Sequence, residues 1–352
     1  MGKKPIQVLI VDDSPVDREH LAHILGSDPD IEIAGIALDG SQAVQAVMRE
    51  KPDVILMDLH LPKMSGFEAS RIIMETRPVP IIIVSSSTRA GSESYLFQAL
   101  ETGALTLAKK PAGPSHPAHA AEAMALIETV KLMSEIKLVT RRARVRTEPA
   151  PASPREPVTV AQGQIAIVAL GTSAGGPPAL RTILAGLPKN FPVPVLIVQH
   201  IAAGFVESMA EWLRQSTGFP VQIAARDEFP LPGHAYLAPD NFHMGVDQRG
   251  HITLVGSSPE QRICPSVAHL FRSVACAFGP RSVGVLLTGM GCDGAAELKL
   301  MREKGAVTVA QDQASSMVHG MPGEAIKLGA ASQVLALDDI APFLTRLIVG
   351  GE

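Results

Sequence analysis

The feature that most constrains the fold is a repeated alternation of short apolar runs, rich in β-branched residues and ending in polar ones, with stretches of helical period. Runs of four to eight apolar residues between turn signals fit strands buried on both faces of a parallel sheet. In the N-terminal part they fall at 6–11, 31–34, 54–57, 81–84 and 104–108, with helical stretches between them that contain Ala43, Val44, Val47, Ile72 and Ile73. Ser14 and Pro15 supply an N-cap and a first helical residue, Asp17 stands at the capping-box position, and Gly26 closes that helix. Five strands alternating with helices predict a doubly wound, five-stranded parallel α/β domain.

After Pro111 the pattern changes. Residues 121 to about 146 have helical period, with Met124, Ile127, Val130 and Met133 spaced by three, and end in Arg141, Arg142, Arg144 and Arg146. The stretch TEPAPASPREP that follows is too rich in Pro and Ala to hold a core and reads as a semi-extended tether. A second alternation then begins, with strands at 165–170, 193–198, 221–224, 236–237, 252–255, 283–287 and 307–309. Helical periods lie at 178–187, 205–215, 267–278, 295–304 and 340–348. This predicts a second doubly wound, mostly parallel α/β domain with an antiparallel excursion over 221–255. A chain of 352 residues exceeds what one core usually fills. The expected division is 1–112, a helical and Pro-rich linker at 113–162, and 163–352.

Composition removes several functional classes. Lys and Arg number 31 against 35 Asp and Glu, so the chain has no polyanion-binding bias and nucleic acid is not an expected partner. Cys264, Cys276 and Cys292 are an odd set without a Cys-x-x-Cys pair, which fits a reducing compartment and neither a disulfide framework nor a zinc site. Two acids follow directly on the first apolar run, so a signal peptide or membrane insertion is not expected, and a cytoplasmic location is. A monomer is expected.

Chemistry gathers at the ends of the strands. Asp12 and Asp13 end the first, Asp58 the third and Ser85 the fourth, and Lys110 follows the fifth, so all five meet at one carboxyl edge, where open α/β sheets place their sites. Three neighbouring carboxylates repel one another, and a hard divalent cation such as Mg²⁺, with Lys110, would offset that repulsion. One carboxylate could then accept a phosphoryl group, with Ser85 bonding a phosphoryl oxygen. Taken singly, Asp12 and Asp13 are ordinary helix caps and Asp58 an ordinary turn acid.

The stretches VLIVDDSPVDR, DVILMDLHLPKMSGFEA, IIIVSSSTRAGS and KKP resemble a response-regulator receiver domain over about residues 5–112. The resemblance implies Asp58 as phospho-acceptor for a histidine kinase and Mg²⁺ held by Asp13, Asp58 and the backbone carbonyl of His60, with Asp12 in support. It implies Ser85 as switch hydroxyl and Lys110 as phosphate partner. Leu107 and Ala108 stand where receivers commonly carry an aromatic, so no aromatic-rotamer switch is carried over.

In the second part, Gly171-Thr172-Ser173-Ala174-Gly175-Gly176 puts a serine on a strand-to-helix turn, with a helix N-terminus supplying positive potential. It has neither the Gly-Lys ending of a P-loop nor the Gly-x-Gly-x-x-Gly spacing of a dinucleotide loop. His200 ends the next strand and is the candidate base. Asp293, in LLTGMGCDGA, is the candidate orienting acid, its alternative role being to cap the helix near Ala295. The order Ser, His, Asp differs from the α/β-hydrolase order Ser, Asp, His.

With IVQHIAAGF, LAPDNFHM, CPSVAHLF and QDQASSMVHGMP, these stretches resemble the catalytic domain of the chemotaxis protein-glutamate methylesterases over about 163–350. The resemblance implies Ser173 as nucleophile, His200 as general base and acid, Asp293 as orienting acid, and the backbone around Met290 as a candidate oxyanion contributor, with no cofactor for hydrolysis. It implies methyl-ester hydrolysis and glutamine deamidation on methylated chemoreceptors, with the receiver covering the cleft until it is phosphorylated. Ala174, Ala202 and Cys292 depart from the usual residues there, though no triad member is lost. The alternative is a non-catalytic, phospho-regulated binding protein of a receptor-kinase array. A phospho-regulated transcription factor does not fit, because the C-terminal part has the wrong length, charge and alternation for a helix-turn-helix module.

Overall fold

The structure is a computed structural model, and it describes residues 4–85, 93–136, 165–257 and 263–350. The first sheet contains β1 (Ile6–Val11), β2 (Ile31–Ala37), β3 (Val54–Met57), β4 (Ile81–Ser85) and β5 (Thr106–Lys109) in the order β2-β1-β3-β4-β5. Every pair in it is parallel. The order reverses between β1 and β3, so a crevice opens at their carboxyl ends, where Asp12, Asp13 and Asp58 stand. The helices are α1 (Pro15–Gly26), α2 (Gly40–Arg49), α3 (Gly66–Thr76), α4 (Glu93–Glu101) and α5 (His119–Ser134).

Two local expectations are altered here. Ser14 does cap α1, accepting from the Asp17 N–H, but the Asp17 carboxylate does not return to close a capping box and instead reaches Lys110 at 2.9 Å. The helix expected within the linker packs on the first sheet: Leu126, Val130 and Met133 of α5 join Val8, Ile10, Val54 and Ile82 in one buried cluster. Of the residues whose spacing predicted α5, Val130 and Met133 are buried and Ile127 half-buried, whereas Met124 is 63% exposed, and the buried face runs through Leu126 instead. Arg141, Arg142, Arg144, Arg146 and the tether TEPAPASPREP lie outside the described residues.

The second sheet holds seven strands in the order β14-β13-β12-β6-β7-β9-β8 and is parallel throughout. They are β6 (Ile167–Thr172), β7 (Val195–Gln199), β8 (Val221–Ile223), β9 (Ala235–Leu237), β12 (Ser282–Leu286), β13 (Val307–Gln311) and β14 (Gln333–Leu335). The antiparallel excursion is narrower than expected: β8 and β9 pair parallel in the main sheet, and only β10 (Phe242–Val246) and β11 (Ile252–Gly256) form a separate antiparallel hairpin. Helices α6 (Gly176–Gly186), α7 (Val206–Thr217), α8 (Val267–Ala277), α9 (Ala295–Glu303), α10 (Met321–Lys327) and α11 (Leu337–Ile348) cover the faces. The order reverses between β6 and β12, again fixing a crevice at carboxyl ends.

The two units meet along α4 and the start of β5. Phe97 of α4, fully buried, stacks on Trp212 of α7 with ring centroids 5.3 Å apart at 22°. Glu101 pairs with Arg181 of α6 at 3.0 Å. The Gly175 N–H donates to the carbonyl of Leu105 at 3.0 Å, so a backbone bond joins the receiver-side strand to the turn that carries Ser173. Among the described residues no helix is long and apolar enough to cross a membrane.

Candidate functional site

In the first sheet Lys110 is the hub. Its Nζ lies 2.6 Å from Asp12, 2.5 Å from Asp58 and 2.9 Å from Asp17. Asp12 is fully buried, and burial raises its pKa above the ordinary 3.8 although Lys110 opposes the shift. Burial acts against the charge on Lys110 as well, but hydrogen bonds to Asp12, Asp58 and Asp17 outweigh it and hold the ammonium well above its ordinary range. Asp12 also accepts from the Ser14 N–H at 2.9 Å, and Asp58 accepts from the His60 N–H at 2.9 Å. Ser85 ends β4 with its carbonyl accepting from the Lys110 N–H at 2.9 Å. Asp13 is exposed at the rim.

The structure thus brings Asp12, Asp58 and Lys110 into direct contact, with Ser85, His60 and Asp13 around them. Among the described residues, no three acidic, imidazole or thiol groups stand in a ready-made metal-binding arrangement. The donor chemistry nevertheless fits Mg²⁺, because the carboxylates and the His60 carbonyl offer oxygen only, which a small hard cation prefers.

In the second sheet, strand register does the assembling. Thr172 of β6 is paired with Gln199 of β7, so the next residues, Ser173 and His200, leave the sheet side by side. The His200 N–H donates to the Thr172 carbonyl at 3.0 Å, and the Ser173 N–H donates to the Thr288 carbonyl at 3.1 Å. Gly175 has φ of 75°, a left-handed conformation that lets the chain turn from β6 into α6 within three residues.

His200 Nε2 lies 2.9 Å from Asp293, which leaves Nδ1 as the ring nitrogen available for proton transfer. Among the described residues no hydrogen bond yet joins Ser173 Oγ to that ring. Free enzymes often tighten this contact only when substrate binds. Asp293 does not cap the helix near Ala295. It sits at the start of α8 and accepts from the Val267 N–H at 2.7 Å, the Ala268 N–H at 3.1 Å and Ser266 Oγ at 3.0 Å. Burial opposes its charge, yet His200 and these backbone donors win and hold the carboxyl below its ordinary value. Nothing in the sequence marks Ser266 beyond its position just before a helical period.

Met290 lies in the turn after β12, packed against the cluster that includes Ala174 and Val318. Thr288 holds this turn to the serine turn: its hydroxyl donates to the Ala174 carbonyl at 2.9 Å and accepts from the Val318 N–H at 2.9 Å. Cys292 is exposed beside Asp293 as a free thiol, and Ala202 packs against the apolar core.

A five-stranded parallel sheet thus docks on a seven-stranded parallel sheet, and each carries its candidate residues at the carboxyl edge beside its switch point. The family profile described as CheB methylesterase matches residues 168–344, and that described as response regulator receiver domain matches residues 8–122. The chain belongs to the CheB methylesterase family.

It is 53% identical over 344 residues to a protein-glutamate methylesterase/protein-glutamine glutaminase of Nitrosospira multiformis, covering 97% of each chain. It is 51% identical over 345 residues to a protein of the same description from Geobacter metallireducens, covering 97% of this chain and 99% of the other. The crystal structure of the Thermotoga maritima CheB methylesterase catalytic domain is 35% identical with a TM-score of 0.50, covering 52% of this chain and 99% of that one.

Proposed function

We propose that this chain removes methyl esters from glutamate side chains of methylated chemoreceptors, and deamidates receptor glutamines, under control of a phosphorylated receiver. The reading rests on one observation above others: paired strand ends set Ser173 beside His200, and His200 is bound through Nε2 to Asp293 at 2.9 Å. Ser173 Oγ attacks the ester carbonyl while His200 Nδ1 takes its proton. The same proton passes to the leaving methanol, or to ammonia from a glutamine. Water, deprotonated by His200, then releases the glutamate and restores Ser173. Asp293 fixes the tautomer and stabilises the imidazolium, and the Met290 N–H is the candidate donor to the oxyanion.

Asp58 would accept the phosphoryl group from the histidine kinase of a chemotaxis-like pathway in the cytoplasm. Asp12, Asp13, Asp58 and the His60 carbonyl would hold Mg²⁺, which supplies charge neutralisation for that transfer. Ser85 and Lys110 would bind the phosphoryl oxygens. In this division of labour the receiver extends through α5, the segment beyond it connects, and residues from about 163 onward hydrolyse. The docked contacts of Phe97 with Trp212 and of Leu105 with Gly175 fit a resting state in which the receiver covers the serine turn. A phosphoryl group draws Lys110 away from its present partners and biases that docking.

Methanol release from methylated receptor membranes tests the chemistry. Ser173→Ala is expected to lower the rate by about 10⁴-fold or more. Unchanged release from that variant rules the mechanism out.

A further inference from the structure

Gln199 stands one residue before His200 and is 5% exposed. Its side-chain Nε2 donates two hydrogen bonds at 2.8 Å each, one to the carbonyl of Ser173 and one to the carbonyl of His200. A single amide nitrogen therefore bridges the backbones of the nucleophile and the base. The orientation of the amide is fixed by its partners: turning it over would set its oxygen against two carbonyl oxygens.

The amide oxygen finds no hydrogen-bond partner among the described residues. Proteins rarely leave such an atom buried, because it gives up its hydration without return. The oxygen lies against the backbone of Gly176, and a β-carbon at Gly176 would collide with it and approach Thr172 Oγ1 to 2.5 Å. Gly176 has no left-handed φ to explain it. The last glycine of the serine turn is thus accounted for by the room it leaves for the Gln199 amide. Thr172 Oγ1, on the other side, donates to the Thr288 carbonyl at 2.8 Å.

We infer that Gln199 is a positioning residue for ester hydrolysis: its amide clamps the Ser173 and His200 backbones together and so sets the separation across which the proton is transferred. The inference rests on the proposed roles of Ser173 and His200. Without the clamp, β6 and β7 still pair, since their ladder continues through Thr172 and Gln199. The two residues beyond the ladder would lose their shared tie, and a displacement of about 1 Å at reacting groups can cost about 100-fold in rate.

The test uses the full chain, phosphorylated with acetyl phosphate and Mg²⁺, and measures methanol release from methylated receptor membranes. Gln199→Met keeps the volume and removes both donors. It is expected to lower kcat by about 10- to 100-fold and leave KM within about twofold. Gln199→Glu adds a readout that a structural role alone does not move. Its carboxyl, when protonated, again has one hydrogen to donate, so the ratio of its rate to that of the unsubstituted chain is expected to rise as pH falls, whereas the Met ratio stays flat.

Wild-type kcat in Gln199→Met overturns the inference, and so does a loss in Gln199→Glu that does not change with pH. Ser173→Ala assayed alongside separates the two levels. If it is inactive while Gln199→Met is fully active, the clamp fails and the triad reading stands. If Ser173→Ala is active, the triad reading itself fails.

Discussion

The two candidate sites occupy equivalent places, each at the switch point of a parallel sheet, and are held together by opposite means. At the edge of β1 and β3 the glue is charge: one part-buried ammonium, Lys110, holds Asp12, Asp17 and Asp58. At the edge of β6, β7 and β12 it is mostly neutral hydrogen bonding by Gln199, Thr172 and Thr288, with the Asp293 carboxylate, bound to His200, the charged group among the residues described there. A cluster held by charge rearranges when a charge is added. A turn clamped by amides and hydroxyls keeps its shape. The first arrangement suits a switch and the second a preorganised catalyst.

That contrast can be attacked from either side. The largest effect is expected for Asp293→Asn, which keeps the shape and takes the charge that orients His200: kcat for methanol release should fall by about 10³- to 10⁴-fold. The same substitution carries a pH signature in stability. Asp293 is depressed in the folded chain, so its contribution is complete above the ordinary carboxyl value of 3.8 and is lost as pH falls through the lower folded value. Urea denaturation should therefore show a deficit for Asp293→Asn at neutral pH that shrinks below about pH 4.

Next in size is Lys110→Ala. It strands the buried Asp12 beside the part-buried Asp58, and urea denaturation of the full chain should report a loss of about 3–5 kcal/mol at pH 7. A loss below 1 kcal/mol would mean that charge is not what holds this site. Phe97→Ala removes the stack on Trp212, worth about 0.5–1.5 kcal/mol beyond burial. Basal esterase turnover of the unphosphorylated chain should rise by between about 2- and 10-fold as docking weakens. The smallest effect is expected for Arg181→Ala. Its pair with Glu101 is substantially exposed on both sides, so the same assay should change by about twofold or less.

Much of this was legible because parallel strands advertise themselves as apolar runs. β1, β3, β4, β6, β7 and β12 lie where such runs occur, and the residues that end them are those the structure gathers. What was less legible has physical causes. β8 and β9 are three residues each, too short for either alternation or a run to declare their direction, so parallel pairing in the main sheet read as part of an antiparallel excursion. Helix α10 opens on Met321, Pro322 and Gly323, a composition that reads as a turn, and it forms because Met321 and Ala325 are buried against the second sheet.

Asp293 was recognised by its acid, but its donors Ser266, Val267 and Ala268 lie some 25 residues earlier in sequence, where only the fold brings them near. Gln199 looked like one more polar residue closing a strand. Nothing local marks Leu105 as the acceptor for Gly175, since a backbone carbonyl leaves no trace in residue identity.

In the proposed function the resting receiver covers the serine turn and a phosphoryl group on Asp58 uncovers it. The most direct measurement is the rate at which a fluorophosphonate probe labels Ser173 in the full chain, with and without acetyl phosphate and Mg²⁺, in the unsubstituted protein and in Asp58→Asn. Labelling should be slow at rest and faster on phosphorylation in the unsubstituted protein, and equally slow under both conditions in Asp58→Asn. Equal labelling of the resting and phosphorylated protein, or acceleration that survives in Asp58→Asn, would contradict the claim.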